Sequence, residues 1–276
     1  MQPLISTAEL AERLSEPELA IVDIRWKHQD PEYGRRVFRQ SHIPGAIVLD
    51  LDNDLSDRSD LTRGRHPLPD PQVFVQRLAK VGIGASSRVV AYDDTAGTYA
   101  ARLWWMMRWI GSDASVLDGG FVKWIAEGRA VETGEPRAIT LSASPIRPQV
   151  NRDMVVEFDD VVHARSLGLT LLDVRAPERF RGEIEPIDAR PGHIPGAINL
   201  PYAINLTQSE PAMIESAAGL RRLYKAAGIT EPKAVVCYCG SGVTACHSLL
   251  AMEVAGLTGA RLYPGSWSEW VARVQE

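Results

Sequence analysis

The chain has 276 residues, of which 45% are hydrophobic and 24% are charged, with a formal net charge of −5 at pH 7. This length suits two domains of about 130 residues each better than one domain. The weak negative charge and the absence of an apolar run of ~20 residues exclude nucleic acid and membranes as expected partners.

The first predicted elements are a helix and a short buried strand. Residues 6–14 have a helical pattern, with Ser6 as the N-cap and Glu9 three positions later completing a capping box. The apolar run at 20–24 is followed by a charged residue, which is typical of a buried strand that leads into a loop. A polar stretch and the motif Ser-His-Ile-Pro-Gly-Ala-Ile at 41–47 come next.

The remainder of the first half alternates strands with helices. We predict strands near 88–92 and 114–117 and helices near 72–82, 98–110 and 120–127. This alternation indicates an α/β fold with a mainly parallel sheet flanked by helices. In such folds ligands bind beyond the carboxyl ends of the strands. The tryptophans at helical spacing are predicted to belong to the core or a domain interface: Trp104, Trp105 and Trp109.

The second half repeats the motifs of the first. Asp-x-Arg at 23–25 returns at 173–175, and His-Ile-Pro-Gly-Ala at 42–46 returns at 193–197. Features shared by both halves are more typical of architecture than of a catalytic site. We therefore predict that the Asp and Arg residues form buried ion pairs or fix turns, and that neither histidine is catalytic.

The repeat also predicts the domain organisation. Strands are expected again near 170–174, 234–238 and 260–263. We predict tandem domains at 1–138 and 154–276, joined by a linker at 139–153. Proline, glycine, serine and threonine residues without a helical period support this linker.

The most distinctive segment follows the predicted strand at 234–238. Cys239 is followed by the loop Gly-Ser-Gly-Val-Thr and then by a helical pattern. Because the first N–H groups of a helix lack partners and carry partial positive charge, they would stabilise a thiolate at Cys239. Gly240 and Gly242 allow the backbone to curl around the sulfur, and Ser241 adds a neutral donor.

The cysteine content indicates a reducing compartment. Cys237, Cys239 and Cys246 fall within ten residues, which is unsuitable for a disulfide framework. The first residues lack a basic region followed by a long apolar core, so they do not resemble a secretory signal. The expected location is the cytoplasm.

The sequence Cys-Gly-Ser-Gly-Val-Thr at 239–244 resembles the active-site loop of the rhodanese-type sulfurtransferases, in the version of the mercaptopyruvate branch. Together with the repeated motifs, the resemblance to tandem-domain members of that family covers nearly the whole chain. It implies two tandem rhodanese-like domains. The first would be catalytically silent, because Asp93 stands where the second half has Cys239.

The resemblance implies a double displacement. Cys239 would take sulfur from a small-molecule donor as a persulfide and pass it to a thiophilic acceptor. That acceptor would be cyanide or a thiol, including the thiol of a thioredoxin-like protein. No metal or organic cofactor is expected, because sulfur itself is the transferred group. The implied donor is 3-mercaptopyruvate, since the neutral loop offers no full charge to thiosulfate, which is the alternative donor.

Several residues are assigned to the site by the same resemblance. Arg179 and Arg190 match arginines that bind the substrate carboxylate, for which a bidentate guanidinium is suited. Asp52 and His66 match an aspartate and a histidine that are linked to the loop serine, Ser241, and a histidine there could move the donor's proton. The remaining loop residues would contact the donor: Gly240, Gly242, Val243 and Thr244.

The sequence bears on two other classes of function. The dual-specificity phosphatases share this fold, but their Cys-x5-Arg loop needs an arginine where this chain has Ala245. A non-catalytic sulfur carrier or binding module stays open, and turnover with free donor and acceptor would distinguish it from an enzyme.

Overall fold

The computed structural model describes residues 1–136 and 144–274. The chain divides into two compact units of three segments each: Met1–Ser56, Pro69–Asn151 and Gln208–Ile214 form the first, and Asp57–Leu68, Arg152–Thr207 and Glu215–Glu276 form the second. Residues 139–143 of the predicted linker lie outside the described part of the chain. The division into a silent and a catalytic domain stays a prediction.

The first unit contains a five-stranded parallel sheet within the described residues. Its elements are β1 Leu4–Ile5, α1 Thr7–Arg13, β2 Leu19–Asp23, α2 Tyr33–Gln40, β3 Ile47–Val48, α3 Pro71–Lys80, β4 Arg88–Tyr92, α4 Ala100–Trp109, β5 Ala114–Leu117 and α5 Gly120–Ala126. The strand order is β1-β5-β4-β2-β3. Asp93 directly follows β4, at the carboxyl edge of this sheet.

The second unit contains a four-stranded parallel sheet, again counted in the described residues. Its elements are α6 Phe158–Val162, β6 Thr170–Asp173, α7 Pro177–Phe180, β7 Ile198–Asn199, α8 Ala217–Ala226, β8 Val235–Tyr238, α9 Thr244–Val254, β9 Arg261–Leu262 and α10 Ser266–Arg273. The strand order is β7-β6-β8-β9. The predicted α/β class with mainly parallel sheets flanked by helices is confirmed.

The central strands of both sheets are buried on two faces, which explains their continuous apolar sequences. β4 and β8 are each almost wholly buried, and helices cover them. The predicted tryptophans of α4 are buried, and the rings of Trp105 and Trp109 stack at a centroid distance of 6.1 Å. In the described ranges no helix combines the length and apolarity needed to cross a membrane.

The start of α1 follows the sequence prediction only in part. Ser6 Oγ accepts a hydrogen bond from Glu9 N at 3.1 Å, which confirms the N-cap. The Glu9 carboxylate instead forms an ion pair with Arg13 at 3.1 Å, one helical turn further on. The reciprocal half of the predicted capping box is thus replaced by an i,i+4 pair.

Helix α2 lies in a polar stretch for which the sequence predicts no helix or strand. Its packing depends on Phe38, which is 1% exposed and stacks on the His42 ring at a centroid distance of 3.8 Å. Helices are stabilised mainly by tertiary packing rather than by intrinsic propensity. Phe38 is the buried residue of α2 and packs in the core of the first unit with Ile21 and Val90, which attaches the helix to the sheet.

The repeated motifs have the same structural role in both units. Arg25 Nη2 lies 2.6 Å from Asp23 Oδ2, and the corresponding distance between Arg175 and Asp173 is 2.7 Å. All four residues are at most 5% exposed, so the predicted buried ion pairs are confirmed. The histidines also make matching contacts, because His42 Nδ1 and His193 Nδ1 each lie within 2.8 Å of a phenylalanine carbonyl oxygen: Phe38 and Phe180.

Candidate active site

Cys239 directly follows β8, at the sheet edge where ligands bind in parallel α/β folds. The residue is 2% exposed. The loop ends at Val243, which is buried, and α9 begins at Thr244. The start of α10 holds the main chain of Cys239, whose N–H donates to Ser266 Oγ at 3.2 Å and whose carbonyl accepts from Trp267 N at 3.0 Å.

Two glycines of the loop are needed for different reasons. Gly242 has φ +76°, and a β-carbon there would lie 2.4 Å from the carbonyl oxygen of Pro264. Gly240 accepts a hydrogen bond from Ser268 N at 2.9 Å, and its β-carbon would lie 2.7 Å from Arg65 Nη2. Gly242 therefore satisfies a backbone requirement, whereas Gly240 leaves room for a guanidinium group.

The corresponding loop of the first unit surrounds the carboxylate of its own residue Asp93. Asp93 Oδ1 accepts hydrogen bonds from Thr95 N at 2.8 Å and Gly97 N at 2.9 Å. Its Oδ2 accepts from Tyr99 N at 2.7 Å and Ala100 N at 2.9 Å. Four backbone donors thus converge on one negative charge at the start of α4. A loop at this edge of the fold is well suited to an anion.

Cys239 occupies the corresponding place in the second unit, where the first N–H groups of α9 have no partner within the helix. The other two cysteines are positioned differently. Cys237 is fully buried in β8, and burial raises the pKa of its thiol. Cys246 lies inside α9, where its sulfur donates to the carbonyl oxygen of Gly242 at 3.3 Å. Cys239 is therefore the cysteine at the head of the loop.

His66 and Ser241 are brought together by the fold. His66 Nδ1 lies 2.8 Å from Ser241 Oγ, and both residues are 7% exposed. His66 belongs to the segment 57–68, which is part of the second unit. Asp52 belongs to the first unit, where its carboxylate accepts a hydrogen bond from Trp26 Nε1 at 3.3 Å.

Arg179 lies beside the cysteine loop. A β-carbon on Gly240 would be 3.6 Å from its Nη2 and 3.7 Å from its Nη1. The guanidinium group is held by two carboxylates, since Nη2 lies 2.6 Å from Glu185 Oε1 and 3.3 Å from Asp188 Oδ2. The structure therefore places this sequence-predicted arginine next to the residue that follows Cys239.

Arg65 is a candidate site residue that the sequence interpretation missed. Its guanidinium lies against Gly240 and forms an ion pair with Asp188 through Nη1. The sequence offered one signal, the basic residue directly before His66, but nothing local indicated that Arg65 would reach the cysteine loop.

The arginines and acids around the loop form a connected ion-pair network whose charges balance. Its members are Arg65, Arg175, Arg179, Asp173, Glu185 and Asp188. Burial raises the pKa of Asp188, although the nearby arginines oppose this effect. Burial also acts to raise the pKa of Glu185, but hydrogen bonds from Arg179 and from backbone N–H groups outweigh it and leave that pKa below its usual value.

Arg190 is placed elsewhere in the second unit. Its Nη2 donates to the carbonyl oxygens of Val271, at 2.8 Å, and Val274. A cation is favourable at this position because α10 ends there and its last carbonyls carry partial negative charge. The backbone carbonyl of Arg190 also accepts a hydrogen bond from Trp267 Nε1 at 2.9 Å. In the described residues, the hydrogen bonds of Arg190 run to α10 and its flanking residue.

Comparison with known proteins identifies two copies of one domain. The model of the "Rhodanese-like domain" family matches residues 6–127 and 157–273. These two ranges cover most of the chain and contain the strands of both parallel sheets except β1, which lies just before the first range.

Relatives and solved structures match the chain along nearly its full length. A Pseudomonas aeruginosa protein named "Probable 3-mercaptopyruvate sulfurtransferase" is 42% identical over 97% of this chain and 94% of its own length. A Mycobacterium tuberculosis protein named "Putative thiosulfate sulfurtransferase SseB" is 38% identical, covering 98% and 94%. The structure of 3-mercaptopyruvate sulfurtransferase from Leishmania major superposes with a TM-score of 0.87 at 31% identity, over 98% of this chain and 74% of that one.

Proposed function

The chain belongs to the rhodanese-like family, and we propose that it is a 3-mercaptopyruvate sulfurtransferase that forms a persulfide on Cys239. The observation that carries this proposal is the position of Arg179, whose guanidinium lies beside Gly240. A carboxylate bound there would leave the thiol of a short keto acid near Cys239. Bidentate binding by arginine fixes the orientation as well as the position of such a group.

The proposed reaction is a double displacement. The Cys239 thiolate attacks the thiol sulfur of 3-mercaptopyruvate, so that a sulfur–sulfur bond forms as the carbon–sulfur bond breaks. The electron pair of the broken bond stays on carbon as the enolate of pyruvate. That carbon takes up the proton lost by the thiol, and pyruvate leaves. A thiolate or cyanide then attacks the outer sulfur and releases the Cys239 thiolate.

His66 and Ser241 are the proposed carriers of the proton. Their separation of 2.8 Å permits a direct hydrogen bond, and an imidazole can both accept and donate a proton, as general acid–base catalysis requires. Ser241 would pass the thiol proton to His66, which would return it to the enolate carbon. Asp52 is proposed as a residue that orients His66, on the grounds of the sequence resemblance.

The balanced network around the loop favours a monocarboxylate over a dianion. Arg179 is already paired with Glu185 and Asp188, so the site offers directed N–H donors rather than a large excess of positive charge. A keto acid can use such donors through one carboxylate. Thiosulfate would benefit more from unpaired cations near the sulfur. It remains the second candidate donor, because the M. tuberculosis relative carries that substrate in its name.

The deciding experiment compares kcat/KM for 3-mercaptopyruvate and thiosulfate with a common acceptor. We expect a clear preference for 3-mercaptopyruvate. Arg179→Ala should lower kcat/KM for that donor by about 10- to 100-fold, because one charge-assisted hydrogen-bonded contact is worth ~1.5 to 3 kcal/mol. A native enzyme that prefers thiosulfate, with Arg179→Ala affecting neither donor, would replace this proposal by the thiosulfate one.

The remaining assignments are also part of the proposal. The acceptor is cyanide or a thiol, including the thiol of a thioredoxin-like protein, and the location is the cytoplasm. Residues 1–138 are proposed as a silent domain and 154–276 as the catalytic one. The saturated hydrogen bonding of Asp93 supports the first of these, because that carboxylate already fills its loop and can form no persulfide. A sulfur carrier without catalysis would give no turnover with free donor and acceptor.

A further inference from the structure

The segment 182–192, which connects α7 to β7, is a compact loop whose two ends meet. Gly182 has φ +76°, and a β-carbon there would lie 3.2 Å from Gly192 N. The segment therefore leaves the second unit and returns to nearly the same point, as an Ω-loop does. Loops of this kind frequently carry function.

Three of the four charged side chains in the 182–192 loop are directed inward. Glu185 Oε1 and Asp188 Oδ2 lie 2.6 Å and 3.3 Å from Arg179 Nη2, and both acids are almost fully buried. Glu185 Oε1 also accepts hydrogen bonds from Ile187 N and Asp188 N, each at 3.1 Å. Arg190 binds the carbonyl oxygens at the end of α10. These contacts fix the backbone of the loop.

The apolar residues of the loop face the solvent instead. Ile184 is 51% exposed and Ile187 is 36% exposed. The same face contains three further exposed residues: Pro186, Ala189 and Pro191. Glu183, the fourth charged residue, is paired with Arg181 at 2.6 Å. A loop with buried charges and an outward apolar face is the reverse of an ordinary surface loop, and contiguous exposed apolar residues indicate an interaction surface.

This apolar face adjoins the reactive cysteine. The Arg190 carbonyl accepts a hydrogen bond from Trp267 Nε1 at 2.9 Å, and Trp267 N donates to the Cys239 carbonyl at 3.0 Å. The acids of the loop also hold Arg179, whose guanidinium lies beside Gly240. The loop is thus connected to Cys239 and to the residue after it. A macromolecule that contacts the loop would lie next to the transferred sulfur.

The second half of the reaction needs a partner at this place. Cys239 is 2% exposed, so a folded protein that brings a thiolate to its sulfur must press its own surface against the surrounding loops. Cyanide or a small thiol has no such need. Because burial of apolar area is favourable and burial of an unpaired charge is costly, the loop fits a partner whose reactive thiol lies in an apolar, weakly charged surface.

We propose that the apolar face of the 182–192 loop is the docking surface for a thioredoxin-like protein that accepts sulfur from Cys239. This inference rests on the proposed function. The acceptor's thiolate attacks the outer sulfur of the persulfide, and the electron pair of the broken sulfur–sulfur bond returns to Cys239 as its thiolate. The acceptor's second thiol then loses its proton and displaces that sulfur as hydrosulfide. The acceptor is thereby oxidised to a disulfide, and the transferred sulfur is reduced.

The test compares two dithiol acceptors of different size, reduced thioredoxin and dithiothreitol, by pyruvate release at saturating 3-mercaptopyruvate. A double variant carries Ile184→Ser and Ile187→Ser. Its kcat/KM for thioredoxin should fall by about 10-fold, mainly through KM, because two partly exposed isoleucines would lose the burial that docking supplies. Its kcat/KM for dithiothreitol should change less than about twofold, which also shows that the variant is folded.

The matched control carries Val162→Ser and Leu167→Ser. These residues are exposed to a similar degree, 48% and 54%, but they precede β6 and so lie away from the carboxyl edge where Cys239 is placed. Both acceptors should be used by this control as by the native enzyme.

An equal loss with both acceptors in the isoleucine variant would overturn the inference, because the loop would then act on the chemistry itself. Unchanged kinetics with thioredoxin would overturn it as well. Dissociation of a native dimer by the same substitutions, with thioredoxin still used normally, would assign the face to a second copy of this chain instead. The proposed function fails separately, if the native enzyme releases no pyruvate from 3-mercaptopyruvate with dithiothreitol.

Discussion

Gly240→Ala tests how tightly the loop and the two guanidinium groups fit together. The new β-carbon would lie 2.7 Å from Arg65 Nη2, whereas ordinary contact begins at 3.4 Å. The guanidinium must therefore retreat by about 0.7 Å. Because the displaced atoms are the end of a flexible side chain, the free energy of unfolding should change by less than about 1 kcal/mol.

The effect on donor use should be larger than the effect on stability. A misplacement of about 1 Å in a positioning group can cost ~100-fold in rate, so a shift somewhat below that should lower kcat/KM for 3-mercaptopyruvate by roughly 10- to 30-fold. The assay measures pyruvate release at several donor concentrations. The same enzyme is followed by thermal unfolding, and its Tm should change by less than about 3 °C.

Gly242→Ala is the matched control, because its constraint comes from the backbone. It combines φ +76° with a β-carbon 2.4 Å from the carbonyl oxygen of Pro264, and neither can be relieved by moving a side chain. This variant should lose about 2 kcal/mol or more of stability. A full kcat/KM for 3-mercaptopyruvate in Gly240→Ala, or a loss of stability as large as that of Gly242→Ala, would contradict this expectation.

Three further outcomes follow from the structure. After treatment with donor, peptide mass spectrometry should find one added sulfur on Cys239. Cys239→Ser should abolish sulfur transfer, whereas Cys237→Ser should retain it, because Cys237 lies within the buried strand β8. Sulfur transfer by Cys239→Ser would contradict the persulfide assignment. Asp93→Asn should cost about 1 to 3 kcal/mol in denaturant unfolding, since an amide N–H₂ group would face backbone donors; unchanged stability would contradict this. The pKa of Glu127 is lowered from 4.5 to about 2, and the largest cause is the hydrogen bond that Thr7 donates to its carboxylate. The contribution of the Glu127 carboxylate to the free energy of unfolding should therefore be complete above about pH 4.5 and lost as the pH falls towards 2. Glu127→Gln should remove the decrease in Tm that this protonation causes. An unchanged acid profile in this variant would show that Glu127 contributes nothing in that range.

The sequence by itself determined the features that depend on neighbours along the chain. The strand, glycine loop and helix around Cys239 are encoded in one continuous segment, and the N-cap at Ser6 needs only three residues. Repetition of the Asp-x-Arg motif was enough to predict buried ion pairs in both units, because each pair is formed by residues two positions apart. The alternation of apolar runs likewise indicated the parallel sheets.

Tertiary structure decided which charged residues meet at the loop. Arg65 and Asp188 are 123 residues apart in the chain. No local sequence pattern distinguishes them from charged residues that form an exposed ion pair, such as Arg181 and Glu183. The same holds for Arg190, whose guanidinium binds α10 carbonyls that a sequence motif cannot locate. A charged side chain is long and flexible, so its partner is set by the packing of distant backbone segments rather than by its neighbours in sequence. Periodic burial can be predicted from the sequence because it is a local property, whereas the fit of Arg65 against Gly240 exists only once the segment 57–68 packs on the start of α10.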